Sequence, residues 1–285
     1  MSNRAWLFLI PALVLLSISA FIPLMTVINY SIHYIFAGSA PTFVGFENYI
    51  EVLRDPAFLK ALGRQIIFSL MILAVEVPLG IAIALSMPKK GKGVALSLVL
   101  LGIPLLIPFN VVGIIARVFT QDSIGVVPEF FALFNYDYNA SLHSMDAFLT
   151  IFFLDVWHWT PLVALLCYAG LQAIPDAFYQ AAQIDGASRW KTFRYVTLPK
   201  LRSVLIIGVL LRFMDSFKIY AEPLLLTGGG PGDATTFLSL HVARKAESYE
   251  LGYAGASSII YLFIVIVFSY LFFQLMTNIG KGEKT

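Results

Sequence analysis

The chain has 285 residues, 59% of them hydrophobic and only 13% charged, with a formal net charge of +2. Soluble globular chains have about a quarter of their residues charged, so this one cannot hide its apolar surface in a core, and its solvent is lipid. The single cysteine, Cys167, excludes an intrachain disulfide and a cysteine-based metal site; no metal site and no nucleic-acid partner are expected.

Six spans are predicted, at about 6–28, 63–86, 94–117, 148–170, 204–226 and 254–277. Lipid offers no partners to backbone N–H and C=O groups, so runs of about 20 apolar residues are helices. The fold class is an all-α membrane protein. It is one transmembrane domain over 1–285, without an internal repeat or a soluble module. The first span follows Arg4 and runs from Trp6 to Ile28 past Pro11 and Pro23. It exceeds the roughly 7–15 apolar residues of a secretory leader, so a retained helix is expected. Pro78, Pro104, Pro108 and Pro161 inside later spans point to kinked helices packed around a pathway. Extracytoplasmic segments near 30–60, 118–147 and 227–253 are long enough for short helices.

Lys and Arg gather in short cytoplasmic loops. With six spans, Arg4, Lys89, Lys90, Lys92, the cations from Arg189 to Arg202, Lys281 and Lys284 share one side. Glu47, Glu51, Asp55, Asp122, Glu129, Asp137 and Asp146 share the other. Both termini are therefore expected in the cytoplasm.

Ionisable residues within spans usually face a bundle interior or a water cavity. In the second span, Glu76 has no local partner; it either lines a path or meets a cation such as Arg212 or Lys218. Arg117, near the outer end of the third, is placed to snorkel. The fourth span carries DVWHWTP at 155–161. Trp157 and Trp159 suit the C–H faces of sugars and Asp155 accepts bonds from hydroxyls, although the same residues would also serve as an interfacial aromatic belt. His158 is expected in packing. In the fifth span, Arg212, Asp215, Lys218 and Glu222 fall within about 120° of one helical face and could pair in succession. They mark a pathway, with Tyr220 beside them, or else a closed salt-bridge ladder; Arg212 and Asp215, near mid-membrane, are better pathway candidates than Glu222.

Two other motifs carry no chemistry. TGGGPGDAT at 227–235 lacks the Gly-Lys-Ser/Thr of a phosphate loop. GASS at 255–258 places Ser257 and Ser258 without a nearby His, as packing residues in lipid.

One passage is polar and patterned, Tyr179–Pro199, YQAAQIDGASRWKTFRYVTLP, inside the largest cytoplasmic loop, 171–203. Asp176 is expected to cap a short helix that runs to Asp185 and stops at Gly186. Phe178, Ala181, Ala182 and Asp185 would share one face, where the alanines let another surface approach. Ser188 would cap a second short helix, and Leu198-Pro199 would begin the fifth span, where proline costs little. An amphipathic helix lying on anionic lipid is the plain alternative. However, Gln180-Ala181-Ala182, Gly186, Val196 and Leu198-Pro199 keep the spacing of the cytoplasmic Glu-Ala-Ala loop, and this passage resembles that of binding-protein-dependent ABC importer permeases. Gln180 stands where that family usually has Glu. FVGFENY at 43–49, PLGIAIAL at 78–85 and DSFKIYAEPLLLTGGGPGDAT at 215–235 resemble the carbohydrate-uptake branch of the same family.

The resemblance implies a type I importer bundle in the bacterial inner membrane that moves a sugar, glycerol or glycerol phosphate by alternating access. It implies a second, homologous permease subunit, two cytoplasmic ATPases that hold ATP and Mg, and an extracytoplasmic binding protein. This chain would hold no cofactor and catalyse no reaction. Tyr179, Gln180, Ala181, Ala182, Asp185, Gly186, Leu198 and Pro199 would couple to the ATPase. An ion-coupled secondary transporter and an intramembrane hydrolase using Ser257 or Ser258 are the rival readings.

Overall fold

The computed structural model describes residues 4–37, 40–122 and 124–278; Lys281, Glu283 and Lys284 lie outside the described residues. In chain order the elements are α1 (Arg4–Ser31), a two-stranded antiparallel ladder of β1 (His33–Tyr34) and β2 (Thr42–Phe43), α2 (Glu47–Arg54), α3 (Pro56–Ser86), α4 (Lys92–Leu106), α5 (Phe109–Phe119), α6 (Val126–Ala132) and α7 (Ser144–Gln172). Then come α8 (Asp176–Ile184), α9 (Arg189–Thr192), a π-helical turn (Phe193–Thr197), α10 (Leu198–Ser216), α11 (Ala221–Thr227), α12 (Leu238–Glu247) and α13 (Leu251–Asn278).

Four described helices are long and apolar enough to cross a membrane: Leu9–Ser31, Pro56–Ser86, Ser144–Gln172 and Leu251–Gln274. The pair α4 and α5, bent by 87°, would make a fifth as one broken span. The bend falls at Ile107-Pro108: Ile107 is extended, as a residue before proline prefers, and Pro108 leads into α5. The fifth span expected from the sequence is interrupted. It is α10, which carries Lys200, Arg202, Arg212 and Asp215, then a break, then α11. The break has a local cause. Pro223 has no N–H to offer the Ile219 carbonyl, and that carbonyl instead accepts the Ser239 hydroxyl.

The chain divides into two compact units, residues 1–62 with 241–266 and residues 63–240 with 267–285. In the first, Asn48 is buried and donates from Nδ2 to the carbonyls of Ser31 (2.9 Å) and His33 (3.0 Å). The Tyr49 hydroxyl lies 2.7 Å from Ser31 Oγ. These two residues of FVGFENY thus tie the end of α1 to the turn that follows it. Gly252 of α13 packs against the same point: a Cβ there would meet the His33 carbonyl at 2.3 Å. Asp55 caps α3, accepting the Ala57 N–H at 2.8 Å ahead of Pro56, and also accepts the Tyr253 hydroxyl at 2.5 Å. Burial pushes the Asp55 carboxyl up. The Tyr253 and Ala57 bonds, with His241 and Lys245 nearby, outweigh it and hold the carboxyl below its ordinary value.

In the second unit, α7 is the central post. It packs against α10 and α4, and α5 packs against α11. Small residues set the spacing: a Cβ on Gly80 would meet Val163 at 2.7 Å, and one on Gly170 would meet Leu201 at 2.8 Å. Phe68, Ile72, Ile151, Phe152, Ile219 and Phe237 form one buried cluster, and Ala84, Met87, Val163, Cys167 and Tyr168 a second.

Candidate functional site

The polar passage folds largely from its own residues. Asp176 is the first residue of α8; the cap position belongs to Pro175, which has no side chain to accept a bond, so the expected Asp176 cap is not made. Its carboxylate still favours the first turn, where the helix dipole is positive. The helix ends as expected. Gly186 has φ +67°, its N–H bonds to the Gln183 carbonyl at 3.0 Å, and the Ala187 N–H reaches the Ala182 carbonyl at 2.9 Å. That pair of bonds is a Schellman motif. Ser188 then caps α9 by accepting the Lys191 N–H at 3.3 Å.

One further detail differs from the sequence reading. The alanines do not share a contact face: Ala182 is buried and Ala181 exposed. Phe178 and Tyr179 hold α8 down, with Lys200 Nζ 4.0 Å from the Phe178 ring centroid and Lys89 Nζ 4.7 Å from that of Tyr179. Gln180, Ala181, Ile184 and Asp185 stay exposed. Leu198-Pro199 opens α10 as expected, with proline in its first turn, although no break precedes it. The backbone runs helically from Arg189 to Ser216 through the π turn, where the Leu198 N–H bonds to the Phe193 carbonyl. Pro199 lacks an N–H, and the wider i→i+5 turn just ahead of it absorbs the defect. Ile184, Trp190 and Tyr195 are 87%, 70% and 76% exposed. Ile184 and Tyr195 escaped the sequence reading, because lone apolar residues in a polar passage carry no periodic signal.

The intramembrane charges converge on Arg212, which is fully buried. Its Nε and Nη2 donate to both oxygens of Glu76 at 2.7 and 2.9 Å, Nη2 also donates to Asp155 at 2.5 Å, and Nη1 to Asp215 at 3.3 Å. The Trp159 ring centroid lies 4.8 Å from the guanidinium carbon. Of the two fates expected for Glu76, it has the second: it meets a cation. Lys218 pairs with Asp215 at 3.1 Å and is itself 74% exposed. The break after Ser216 takes Lys218 and Glu222 off the single helical face expected for them. A hydroxyl pair, Ser216 and Ser69 at 2.7 Å, and the Gln65 amide on the Ser216 carbonyl at 2.9 Å extend the polar seam.

Beside this cluster lies a cavity of about 280 Å³, lined by Phe109, Asp155, Trp159, Asp215, Lys218, Ile219, Tyr220, Ala221 and Glu222. Five of the eight expected pathway residues line it. Arg212 and Glu76 stand behind the wall, and Trp157 is half-exposed and is not part of the lining. His158 is buried in packing, 5.3 Å from the rings of Phe109 and Trp159. Phe109 and Glu222 complete the wall. Phe109 came from the far side of the α4–α5 bend, which no local pattern foretells.

The family described as binding-protein-dependent transport system inner membrane component matches residues 76–284. The trehalose/maltose transport system permease protein MalF of Thermococcus litoralis is 33% identical over 278 residues, covering 96% of this chain and 93% of that protein. The sulfoquinovosyl glycerol transport system permease protein SmoG of Agrobacterium fabrum is 30% identical, covering 90% and 84%. The fold is that of a chain in a bacterial ABC transporter involved in the import of the acidic polysaccharide alginate. There the TM-score is 0.81 at 19% identity, over 98% of this chain and 97% of that one.

Proposed function

This chain belongs to the family of inner membrane components of binding-protein-dependent transport systems, and we propose that it is the permease subunit of an ATP-driven importer for a carbohydrate or polyol. Its work is transport. It pairs with a second, homologous permease subunit, two cytoplasmic ATPases that hold ATP and Mg, and an extracytoplasmic binding protein. The whole chain acts as one transmembrane domain, and α10 with α11 supplies the fifth of its six spans. Both termini face the cytoplasm.

The observation that carries this reading is the α8 helix, closed at Gly186 and presenting Gln180, Ala181, Ile184 and Asp185 outward at the spacing of a coupling loop. Tyr179 and Ala182 anchor it, and Leu198-Pro199 joins it to α10. Closure of the ATPases on nucleotide moves α8, and the helices around the Arg212 cluster turn the cavity between the two sides of the membrane. A ligand shifts that equilibrium only by its differential affinity for the two states. In the cavity, Trp159 and Tyr220 offer faces to sugar C–H groups, and Asp155, Asp215 and Lys218 offer acceptors and a donor to hydroxyls. Arg212, itself held by Glu76, keeps Asp155 and Asp215 in place.

Gly186→Val tests the assignment. Open space surrounds Gly186, so the valine meets no clash and acts only through φ +67°, a conformation hostile to β-branched residues. The assembled complex should persist while substrate-stimulated ATP hydrolysis and uptake fall together. Normal coupling in this variant removes the coupling role. Gln180→Glu should leave both activities intact.

A further inference from the structure

The cavity wall carries more negative charge than the ion-pair cluster uses. Asp155, Asp215 and Glu222 line it against the single ammonium of Lys218, a formal charge of −2. Counting Arg212 and Glu76 behind the wall leaves that figure unchanged, because they cancel. Glu222 differs from the other carboxylates. It is 5% exposed, and among the described residues the ion pairs of this cluster run through Glu76, Asp155 and Asp215 and leave it out. A buried carboxylate left out of the ion pairs around it is costly, and an ionisable group kept at such a place marks function.

Building on the reading of this cavity as part of the transport path, we propose that Glu222, backed by Asp215, contacts the substrate and makes this wall a charge filter. It accepts a hydrogen bond from a hydroxyl or ammonium group and turns away anionic solutes such as phosphorylated or uronic sugars. An uncharged sugar meets Glu222 with one of its hydroxyl donors, while Trp159 and Phe109 take its apolar side. A phosphate or carboxylate brings a like charge against a low-dielectric wall. Clefts lined by one sign of charge alter the local concentration of a charged solute by about 10- to 1000-fold.

The chain supplies a clean background for the test, since Cys167 is its one cysteine and is 1% exposed. Ala221→Cys places a thiol on the cavity wall next to Glu222. The reconstituted complex is treated with three methanethiosulfonates, bearing a trimethylammonium, an uncharged hydroxyl or a sulfonate group. Each rate is divided by the rate with free cysteine, and all are measured in the resting complex and with the ATPases trapped by vanadate. The expected result is a rate that differs between the two states. In the accessible state the cationic reagent should be at least about tenfold faster than the anionic one. Adding Glu222→Gln should shrink that ratio at least about threefold. Equal normalised rates for cation and anion, or a ratio indifferent to Glu222→Gln, overturn the filter and leave the pathway standing. Identical rates in both nucleotide states, or no reaction in either, overturn the pathway reading and the filter with it.

Discussion

The α8 loop and the Arg212 cluster are both polar islands in an apolar chain, and they are built in opposite ways. The loop is local. Its stop at Gly186, its Schellman bonds and its Ser188 cap all join residues within five positions of each other. The cluster is assembled from afar: Arg212 bonds to Glu76 and Asp155 across 136 and 57 residues. Local construction on the surface tolerates change in any one bond. A buried guanidinium shared by three carboxylates does not, because each partner left behind is a charge without solvent.

The largest effect should come from breaking the cluster at its centre. Arg212→Gln leaves Glu76 and Asp155 buried and unpaired, a loss of about 3–5 kcal/mol. Little assembled complex should be recovered from membranes, and adding Glu76→Gln and Asp155→Asn should restore part of it. Asp215→Asn is a sharper probe of the same cluster. Asp215 is 24% exposed, and Arg212 keeps two other carboxylates without it. Assembly should stay at normal levels while uptake falls or the range of solutes carried changes.

In the loop, Gly186→Val should cost about 1–3 kcal/mol of local strain and appear as lost coupling rather than lost protein. A third region extends the comparison to the other unit. Tyr253→Phe removes the hydroxyl bonded to Asp55 and should lower the unfolding free energy by about 1.5 kcal/mol near neutral pH. The folded Asp55 carboxyl titrates below its ordinary value of 3.8, so the unfolded chain binds the proton more readily. That stabilisation is complete above about pH 4 and disappears as pH falls through the lower, folded value. Thermal melts of wild type and Tyr253→Phe should therefore converge in acid. The smallest effect belongs to Ser188→Ala, about 0.5–1 kcal/mol on the start of α9, read as a small shift in the melting of the loop by hydrogen exchange.

The same contrast explains what could be read in advance. Gly186, Ser188 and the extent of α8 were legible because their determinants are neighbours in sequence. The pairing of Glu76 stood as one of two outcomes, since the sequence gives its partner's existence but not its distance. Three things were not legible. The span over 204–226 looked continuous because the spacing of Arg212, Asp215, Lys218 and Glu222 fits a helix, yet Pro223 and the remote Ser239 hydroxyl divide it. Ala181 and Ala182 looked equivalent until Phe178 and Tyr179 fixed which side of α8 turns inward. Phe109 reaches the cavity only because α4 and α5 meet at 87°.

On the coupling role proposed for α8, the unbroken helical backbone from Arg189 to Ser216 would work as a rocker arm. At about 1.5 Å per residue, Arg212 sits roughly 35 Å along it from the foot beside α8. A tilt of about 10° at that foot would sweep the guanidinium sideways by roughly 6 Å, more than the reach of any bond it makes to Glu76 or Asp155. The π turn at Phe193–Thr197 lies near the fulcrum, where one surplus residue lets the arm twist without snapping its hydrogen bonds. A small stroke delivered to the cytoplasmic end would then be amplified into unlatching at the centre of the membrane.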